Sequence, residues 1–302
     1  MTEGSETGTG PELDPEHHTP PDYGRAGRNL PVATGVGVIL GVVLLVTLFW
    51  LQWAFALMVG AALAVGAVEV GHALRRVGMN AATVPIIIGT VAIVTGSYFA
   101  GLQDDTAAIP SNTLMLATLG ATALAALVWR MPGGAEGYVK DAAASLFIIG
   151  YLPLLGSFAG LMLAGESGGL RVLTFVAVVV ASDTGGYAAG VLFGKHQMAP
   201  RISPKKTWEG FAGSLLSGVV VATALSVFLL DVSFWVGLIL GPALVITGAC
   251  GDLIESLIKR DVGIKDMSSV LPGHGGVMDR LDSLLVAAPI AWMVMYLFVP
   301  GG

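Results

Sequence analysis

Nine apolar runs constrain this chain more than any other feature, because each is long enough to cross a bilayer. A helix needs about 20 residues to span roughly 30 Å of hydrocarbon, and only helices or closed barrels satisfy their backbone hydrogen bonds there. The runs lie at residues 32–50, 52–73, 83–101, 112–130, 141–164, 171–193, 209–230, 233–257 and 283–300. The sequence therefore predicts an all-α, polytopic membrane protein with about nine transmembrane helices.

A low content of ionisable side chains supports this assignment. Charged residues make up 12% of the chain, whereas soluble domains contain about 25%. Residues 1–29 differ from the rest, because they contain no apolar run and are rich in Gly, Pro, Glu, Thr and His. Such a segment lacks the apolar surface that a packed core requires. We therefore expect a disordered, acidic cytoplasmic tail over residues 1–29 and an integral membrane domain over residues 30–302.

The basic residues are distributed very unevenly between the apolar runs. With the N-terminus on the cytoplasmic side, fourteen of the fifteen lysines and arginines fall in cytoplasmic segments, and only Arg171 falls outside. Cytoplasmic loops of membrane proteins carry such an excess of Lys and Arg. The pattern predicts a multi-pass protein of the plasma membrane with an external C-terminus. It also places two polar segments, residues 194–208 and 258–282, on the cytoplasmic face.

Features within the runs concern helix packing. Pro153 and Gly156 indicate that the fifth run is kinked or broken. Glycines recur every four residues at positions 156 and 160, and again at 186, 190 and 194, and small residues at this spacing allow helices to approach closely. Packing within one chain is the favoured interpretation, and a homodimer seam is the alternative. Glu69, near the end of the second run, is interpreted as an interfacial or packing residue.

The most polar stretch of the membrane domain, residues 251–283, lies between two apolar runs. Ionisable groups this close to hydrocarbon are costly and usually functional. The first polar side chains of the stretch follow helical spacing and share one face of a helix: Asp252, Glu255, Ser256 and Lys259. Carboxylates for a divalent cation, cations for phosphates and a glycine-rich turn together indicate a site for a metal and a nucleotide.

Two carboxylates lie deep within apolar runs. Asp183 is eleven residues before Gly194, or roughly 16 Å at 1.5 Å per residue. Asp252 is eight residues before Arg260, or roughly 12 Å on the same basis. At such depth a carboxylate faces a polar cavity or a cation. The sequence thus predicts a polar cavity that faces the cytoplasm, with a hydrogen-bonded structural role as the alternative for Asp183.

Three motifs occupy the second half of the chain. The longest combines Ser-Leu-Ile-Lys-Arg at 256–260, Lys-Asp at 265–266, Leu-Pro-Gly-His-Gly-Gly at 271–276 and Asp-Arg-Leu-Asp at 279–282. The others are Ser-Pro-Lys-Lys-Thr-Trp-Glu-Gly at 203–210 and Ser-Asp-Thr-Gly-Gly-Tyr at 182–187. Together they resemble the phosphatidate cytidylyltransferase (CDP-diacylglycerol synthase) family over residues 182–283. The resemblance implies a nucleotidyltransferase of phospholipid biosynthesis, which converts CTP and phosphatidate to CDP-diacylglycerol and pyrophosphate.

The resemblance also implies a metal site. In the family, the aspartate of Gly-Asp-Leu and the aspartate of Asp-Arg bind the metal, and they correspond here to Asp252 and Asp279. Mg²⁺ is the expected ion, because it binds through few carboxylates and retains waters or phosphate oxygens. A second ion or a monovalent ion stays open. Spacing alone does not favour Asp279 over Asp282.

Catalytic and substrate-binding roles follow for the polar residues of the motifs. The expected catalytic residues are Asp252, Asp279, Lys259 and Arg260, and the expected substrate-binding residues are Asp183, Lys205, Lys206, Thr207, Ser256, Lys265, His274 and Arg280. Lys and Arg suit phosphate groups. We expect the pair at 205–206 to receive the lipid phosphate and the pair at 259–260 to contact CTP. Ser203 is expected to cap the following helix, with Pro204 at its first position.

The expected partners are CTP, phosphatidate in the membrane and the lipid bilayer, with no nucleic acid. Two other classes of function stay open. A transporter also buries carboxylates at mid-membrane, but ion conduction does not need cytoplasmic loops rich in Gly, Lys and Arg. A CTP-dependent lipid-alcohol kinase would bind CTP near lipid, but it would transfer the γ-phosphate and release CDP.

Overall fold

The structure, a computed structural model, describes residues 30–102, 111–268, 270 and 275–301. These ranges contain ten α-helices, a 3₁₀ turn at Met131–Gly133 and one two-stranded hairpin. The helices are α1 (Leu30–Trp50), α2 (Gln52–Arg75), α3 (Thr83–Gly101), α4 (Ser111–Arg130), α5 (Tyr138–Tyr151), α6 (Pro153–Ala164), α7 (Gly168–Phe193), α8 (Trp208–Phe228), α9 (Phe234–Asp261) and α10 (Met278–Phe298). The strands are β1 (Gln197–Ala199) and β2 (Ser203–Thr207).

The prediction of an all-α, polytopic membrane protein is confirmed. Within the described residues, eight helical segments are long and apolar enough to cross a membrane, with α5 and α6 counted together as the segment Tyr138–Ala164. Helix α1 corresponds to the remaining apolar run, and its segment Gly37–Trp50 is apolar but shorter. The acidic tail proposed for residues 1–29 lies outside the described residues.

The fifth apolar run is broken, as its proline predicted. Helix α5 ends at Tyr151, and α6 begins at Pro153, whose ring cannot continue the hydrogen-bond ladder of the preceding helix. Leu152 between them is fully buried. The break gives α5 and α6 separate directions within one span.

A buried apolar core packs against residues of the polar stretch between α9 and α10. Val262 and Met267, which follow α9, and Met278, which begins α10, are buried in one cluster with Val70 of α2 and Ile148 of α5. A second cluster joins α7, α9 and α10. The chain segment between α9 and α10 is therefore fixed at both ends by apolar contacts.

The small residues of α6 and α7 are used within the chain. A methyl group added at Gly186 would lie 2.2 Å from Oγ of Ser214 in α8, and one at Gly160 would lie 2.1 Å from Oγ of Ser97 in α3. The Ser214 hydroxyl donates a hydrogen bond to the Ser182 carbonyl at 2.9 Å. Both glycine patterns thus permit close helix packing inside one molecule, which was the favoured interpretation.

The segment before α8 folds differently from the prediction. Ser203 does not cap the helix, because residues 203–207 form β2 and pair antiparallel with β1, in the register Gln197↔Thr207 and Ala199↔Ser203. The cap is Thr207, whose Oγ1 accepts a hydrogen bond from the Gly210 N–H at 3.1 Å. Strand pairing satisfies the backbone of this segment until the helix begins at Trp208.

Candidate active site

A pocket of about 430 Å³ lies between α7, the hairpin, α8 and α9. Its polar lining comes from the motifs at 182–187 and 203–210 and from single residues of α8 and α9: Ser182, Asp183, Lys205, Lys206, Thr207, Ser214 and Asp252. Its apolar lining includes Tyr187, Val191 and Phe211. Tyr187 and Val191 of α7 are 76% and 66% exposed, so this wall of the pocket presents apolar side chains at the molecular surface.

Asp252 is the centre of a first polar group. Its carboxylate forms an ion pair with the Lys206 ammonium and accepts a hydrogen bond from the Ser283 hydroxyl of α10. The preceding residue, Gly251, makes this possible, because a methyl group there would lie 2.4 Å from the carbonyl oxygen of Asp282. The close approach of α9 and α10 at a glycine brings Ser283 to Asp252.

The hairpin that carries Lys206 is held at its ends. Glu209, in the first turn of α8, accepts hydrogen bonds from the backbone N–H groups of Lys195 and His196, at 3.1 and 3.2 Å. The His196 ring contacts the same carboxylate through Nδ1 at 2.6 Å. Arg260 of α9 donates from Nε to the Ile202 carbonyl at 3.4 Å. These contacts fix Lys206 against α9.

A second polar group lies one to two turns further along α9. Lys259 forms ion pairs with Glu255, one turn before it, and with Asp279 of α10 at 2.9 Å. Asp279 also accepts hydrogen bonds from the backbone N–H groups of Gly276 at 2.9 Å and Met267 at 3.1 Å. Asp279 therefore binds the lysine and both ends of the segment between α9 and α10.

The two groups together bring four carboxylates close to one another. Asp282 lies within electrostatic reach of both Asp252 and Glu255, and Lys206 and Lys259 form ion pairs with the other three carboxylates, those of Asp252, Glu255 and Asp279. Glu255 is 2% exposed, and its Oε1 has no hydrogen-bond partner in the described part of the chain. A buried carboxylate oxygen without a donor fits a cation ligand.

The donor set fits a divalent cation, but it is not assembled as a finished coordination sphere. Across the described ranges, no group of three or more His, Cys, Asp or Glu side chains is arranged to hold a metal ion. Asp252 and Asp279, the expected ligands, belong to different groups and pair with different lysines. Mg²⁺ takes few protein ligands and fills its shell with waters and phosphate oxygens, so a nucleotide would supply the missing donors.

The remaining predicted residues lie around these groups. Ser256 is on α9, while Lys265 and Arg280 are exposed, on the segment after α9 and in the first turn of α10. His274 lies outside the described residues. Helix α10 begins at Met278, ahead of the apolar run that predicted it, so Asp279 and Asp282 belong to a helix rather than to a loop.

The structure adds residues that the sequence interpretation did not assign to the site. Glu69 is buried and accepts hydrogen bonds from the residues at the start of α10, which agrees with the packing role and not with the interfacial one. A lone carboxylate in an apolar run was the signal for it. Ser283 and Tyr151 carried no such signal. The Tyr151 hydroxyl is buried without a hydrogen-bond partner in the described ranges, near Asp282.

Comparisons with known proteins extend over almost the whole chain. The model of the cytidylyltransferase family matches residues 32–298. A phosphatidate cytidylyltransferase of Mycobacterium leprae is 41% identical over 290 residues, which cover 90% of this chain and 89% of the relative. One of Mycobacterium tuberculosis is 40% identical over 286 residues, or 90% of this chain and 84% of the relative. One of Haemophilus influenzae is 42% identical over 137 residues, 43% of this chain and 47% of the relative.

Proposed function

Since this chain belongs to the cytidylyltransferase family, we propose that it is a phosphatidate cytidylyltransferase, which converts CTP and phosphatidate to CDP-diacylglycerol and pyrophosphate. One observation carries the proposal. Lys206, Asp252 and Ser283 form a charged group at a pocket whose other wall presents apolar side chains at the molecular surface. A lipid phosphate and a nucleotide can meet at such a site.

The lipid phosphate binds at the hairpin. Lys205, Lys206 and Thr207 line the pocket next to the exposed apolar residues of α7. The ammonium groups neutralise the phosphate, while the acyl chains lie along the wall formed by Tyr187 and Val191. Asp183, on the same side of the pocket, limits how far the anionic headgroup enters.

The phosphates of CTP bind at the α9 and α10 end of the site. Lys259 and Arg260 are in the last turn of α9, and Ser256, Lys265, His274 and Arg280 complete the surroundings of the triphosphate. A phosphate oxygen of phosphatidate displaces pyrophosphate from the α-phosphorus of CTP. The attacking oxygen is already anionic, so no strong general base is required. The residues contribute by holding two anions together in a fixed geometry and by stabilising the leaving group.

Asp252 and Asp279 would hold a divalent cation, for which Mg²⁺ is the proposed ion, with Glu255 and Asp282 beside them. Such an ion would neutralise charge on the triphosphate and on the pyrophosphate that leaves. The cluster of four carboxylates, with a buried Glu255 oxygen that has no hydrogen-bond partner among the described residues, supports the assignment. Lys206 and Lys259 balance part of the charge and keep both aspartates in place.

The site and the N-terminus face the cytoplasm of the plasma membrane, and the C-terminus lies outside. The distribution of lysines and arginines supports this orientation. The test uses single cysteines in a Cys250→Ser background. Met198→Cys and Val270→Cys should react with an impermeant reagent from the cytoplasmic side, and Asp231→Cys from outside. Labelling of positions 198 and 270 from opposite sides would contradict a shared site.

The reaction is tested by following label from CTP into lipid. Purified protein receives phosphatidate, Mg²⁺ and CTP labelled on either the α- or the γ-phosphate. The proposed reaction transfers the α-label to lipid and leaves the γ-label in pyrophosphate. A lipid kinase would transfer the γ-label instead. The kinase alternative is not favoured, because each relative described above is named a phosphatidate cytidylyltransferase.

A further inference from the structure

Glu69 is a buried carboxylate near the end of α2, and no role in the reaction yet uses it. It is 3% exposed and belongs to α2, which is apolar enough to cross the membrane. A buried carboxylate is strongly unfavourable unless donors or cations surround it. The hydrogen-bond donors to Glu69 come from residues about 200 positions later in the chain.

Three donors of the segment before α10 point at Glu69. The backbone N–H groups of Val277 and Met278 donate to its two oxygens at 3.0 and 2.8 Å. The Ser268 hydroxyl donates to the same carboxylate. Helix α10 has no side-chain cap of its own at Val277. Glu69 satisfies its first N–H groups and places a negative charge at the positive end of the helix dipole.

These donors lie on both sides of the Leu-Pro-Gly-His-Gly-Gly motif. Ser268 precedes the motif, and Val277 and Met278 follow it, so Glu69 holds the two flanks of the motif. Between them, Gly276 passes through a narrow gap. A methyl group there would lie 3.1 Å from both oxygens of Glu69 and 2.9 Å from Oδ2 of Asp279. Gly276 therefore lies between the Glu69 carboxylate of α2 and the Asp279 carboxylate of α10.

The two carboxylates differ in what else they do. Asp279 faces Lys259 and the other carboxylates of the site, whereas Glu69 accepts hydrogen bonds from Ser268, Val277 and Met278, which flank the glycine-rich stretch. A ligand of Asp279 competes with the hydrogen bonds from Gly276 and Met267, because these donors and Lys259 already occupy its two oxygens. The turn then depends on Glu69 to keep its position.

We infer that Glu69 is a positioning residue, which holds both ends of residues 268–278 on α2 so that Asp279 can exchange its backbone hydrogen bonds for a ligand. The inference rests on the proposed role of Asp279. It predicts that loss of Glu69 loosens the turn and lowers the rate of the chemical step more than the affinity for lipid, because the lipid site on the hairpin is separate from this contact.

The test uses the full chain in detergent with Glu69→Gln, which keeps the shape but removes acceptor capacity, and Ser268→Ala, which removes one donor only. Asp141→Asn is the matched control. Asp141 is also a buried carboxylate that accepts a backbone N–H of a distant segment, from Asn80 at 2.6 Å. We expect kcat to fall about tenfold or more in Glu69→Gln and about threefold in Ser268→Ala. The KM for phosphatidate should stay within about twofold in both.

A second readout is independent of the reaction. Met267→Cys, in a Cys250→Ser background, reports opening of this segment through its rate of thiol labelling, because Met267 is only 8% exposed. The rate should rise at least about tenfold when Glu69→Gln is added, and it should not change with Asp141→Asn. Unchanged labelling in Glu69→Gln would overturn the inference, whatever the activity. Faster labelling with a wild-type kcat would overturn the positioning role. If Glu69→Gln speeds labelling but the wild-type protein transfers no α-label to lipid, the structural role of Glu69 is supported and the proposed function is refuted.

Discussion

Two groups of buried charged residues lie in opposite halves of this protein. They differ in how far their charges are neutralised by partners within the protein. In the N-terminal half, Asp141 of α5 is 2% exposed. It pairs with Arg130 of α4 and accepts the Asn80 N–H at 2.6 Å, while Arg130 also donates to the Glu136 carbonyl at 3.2 Å. One carboxylate meets one guanidinium, and the contacts join α4, α5 and the loop after α2.

The group on α9 and α10 is not completed in this way. Four carboxylates lie close together, Lys206 and Lys259 form ion pairs with three of them, and an oxygen of Glu255 has no hydrogen-bond partner in the described ranges. A protein that used these charges only for stability would complete them from within, as it does at Asp141, because uncompensated buried charge is costly. The difference indicates that the first group is structural and that the second is built to receive a cation from outside.

The strongest way to break this comparison is to remove the expected cation ligands. Asp252→Asn and Asp279→Asn should each lower turnover at least about a thousandfold, since each removes a carboxylate that stabilises the cation and the leaving group. Both variants should stay folded in detergent, because each removes one of the neighbouring negative charges on α9 and α10. EDTA should stop the wild-type reaction, and Mg²⁺ should restore it. Substantial activity of either variant at saturating Mg²⁺ would remove that residue from the metal site.

The cations of the second group should show a smaller effect that divides by substrate. Arg260→Ala should lower kcat and kcat/KM together, and Lys206→Ala should mainly raise the apparent KM for phosphatidate. Each change should cost about ten- to a hundredfold, the scale of a hydrogen bond to a charged group. Lys140→Ala is the control, because its ammonium donates a hydrogen bond to the Val77 carbonyl at 2.8 Å and is not assigned to the candidate site. If Lys206→Ala raises the KM for CTP and not for phosphatidate, the assignment of the two pairs should be exchanged.

Glu255→Gln sharpens the comparison, since it removes one buried negative charge and leaves the expected metal ligands Asp252 and Asp279 unchanged. The Mg²⁺ concentration for half-maximal activity should rise about three- to tenfold, while the melting temperature in EDTA should not fall, because a costly buried charge is gone. Thermal unfolding with and without Mg²⁺ measures both effects. A clear loss of stability in EDTA would mean that Glu255 belongs to a self-sufficient ion pair like that of Asp141.

The smallest effect on activity is expected at Asp141. Asp141→Asn should lower the free energy of unfolding by about 1–3 kcal/mol, through the lost charge on its bonds to Arg130 and Asn80. Its kcat should remain within about twofold of wild type. Chemical denaturation and label transfer measure the two quantities separately. A large loss of activity at unchanged stability would place Asp141 in a functional group and erase the contrast.

The sequence predicted the parts of this structure that depend on local pattern. Apolar length predicted the spans, Pro153 predicted the break between α5 and α6, and helical spacing placed Asp252 and Lys259 on one face. It could not predict the hairpin, since the capping signal at Ser203 is overridden by pairing with residues 197–199.

Long-range contacts also escaped the sequence. The bond between Glu69 and the start of α10 joins residues more than 200 positions apart, and no local pattern records it. The pairing of Lys206 with Asp252 likewise depends on how the hairpin meets α9. Motif similarity placed these residues in one site, but only the fold shows which lysine faces which carboxylate.

The measurement that tests the central claim most directly is the binding of Mn²⁺, as a substitute for Mg²⁺, by electron paramagnetic resonance. The protein is titrated with Mn²⁺ in the presence of CTP and without phosphatidate, against a protein-free sample with the same CTP. Wild type and Asp141→Asn should show the same saturable, protein-dependent site. Asp252→Asn and Asp279→Asn should lose it. Equal Mn²⁺ binding by all four proteins, or none by wild type, would contradict the claim that the carboxylates of α9 and α10 are built to hold a divalent cation.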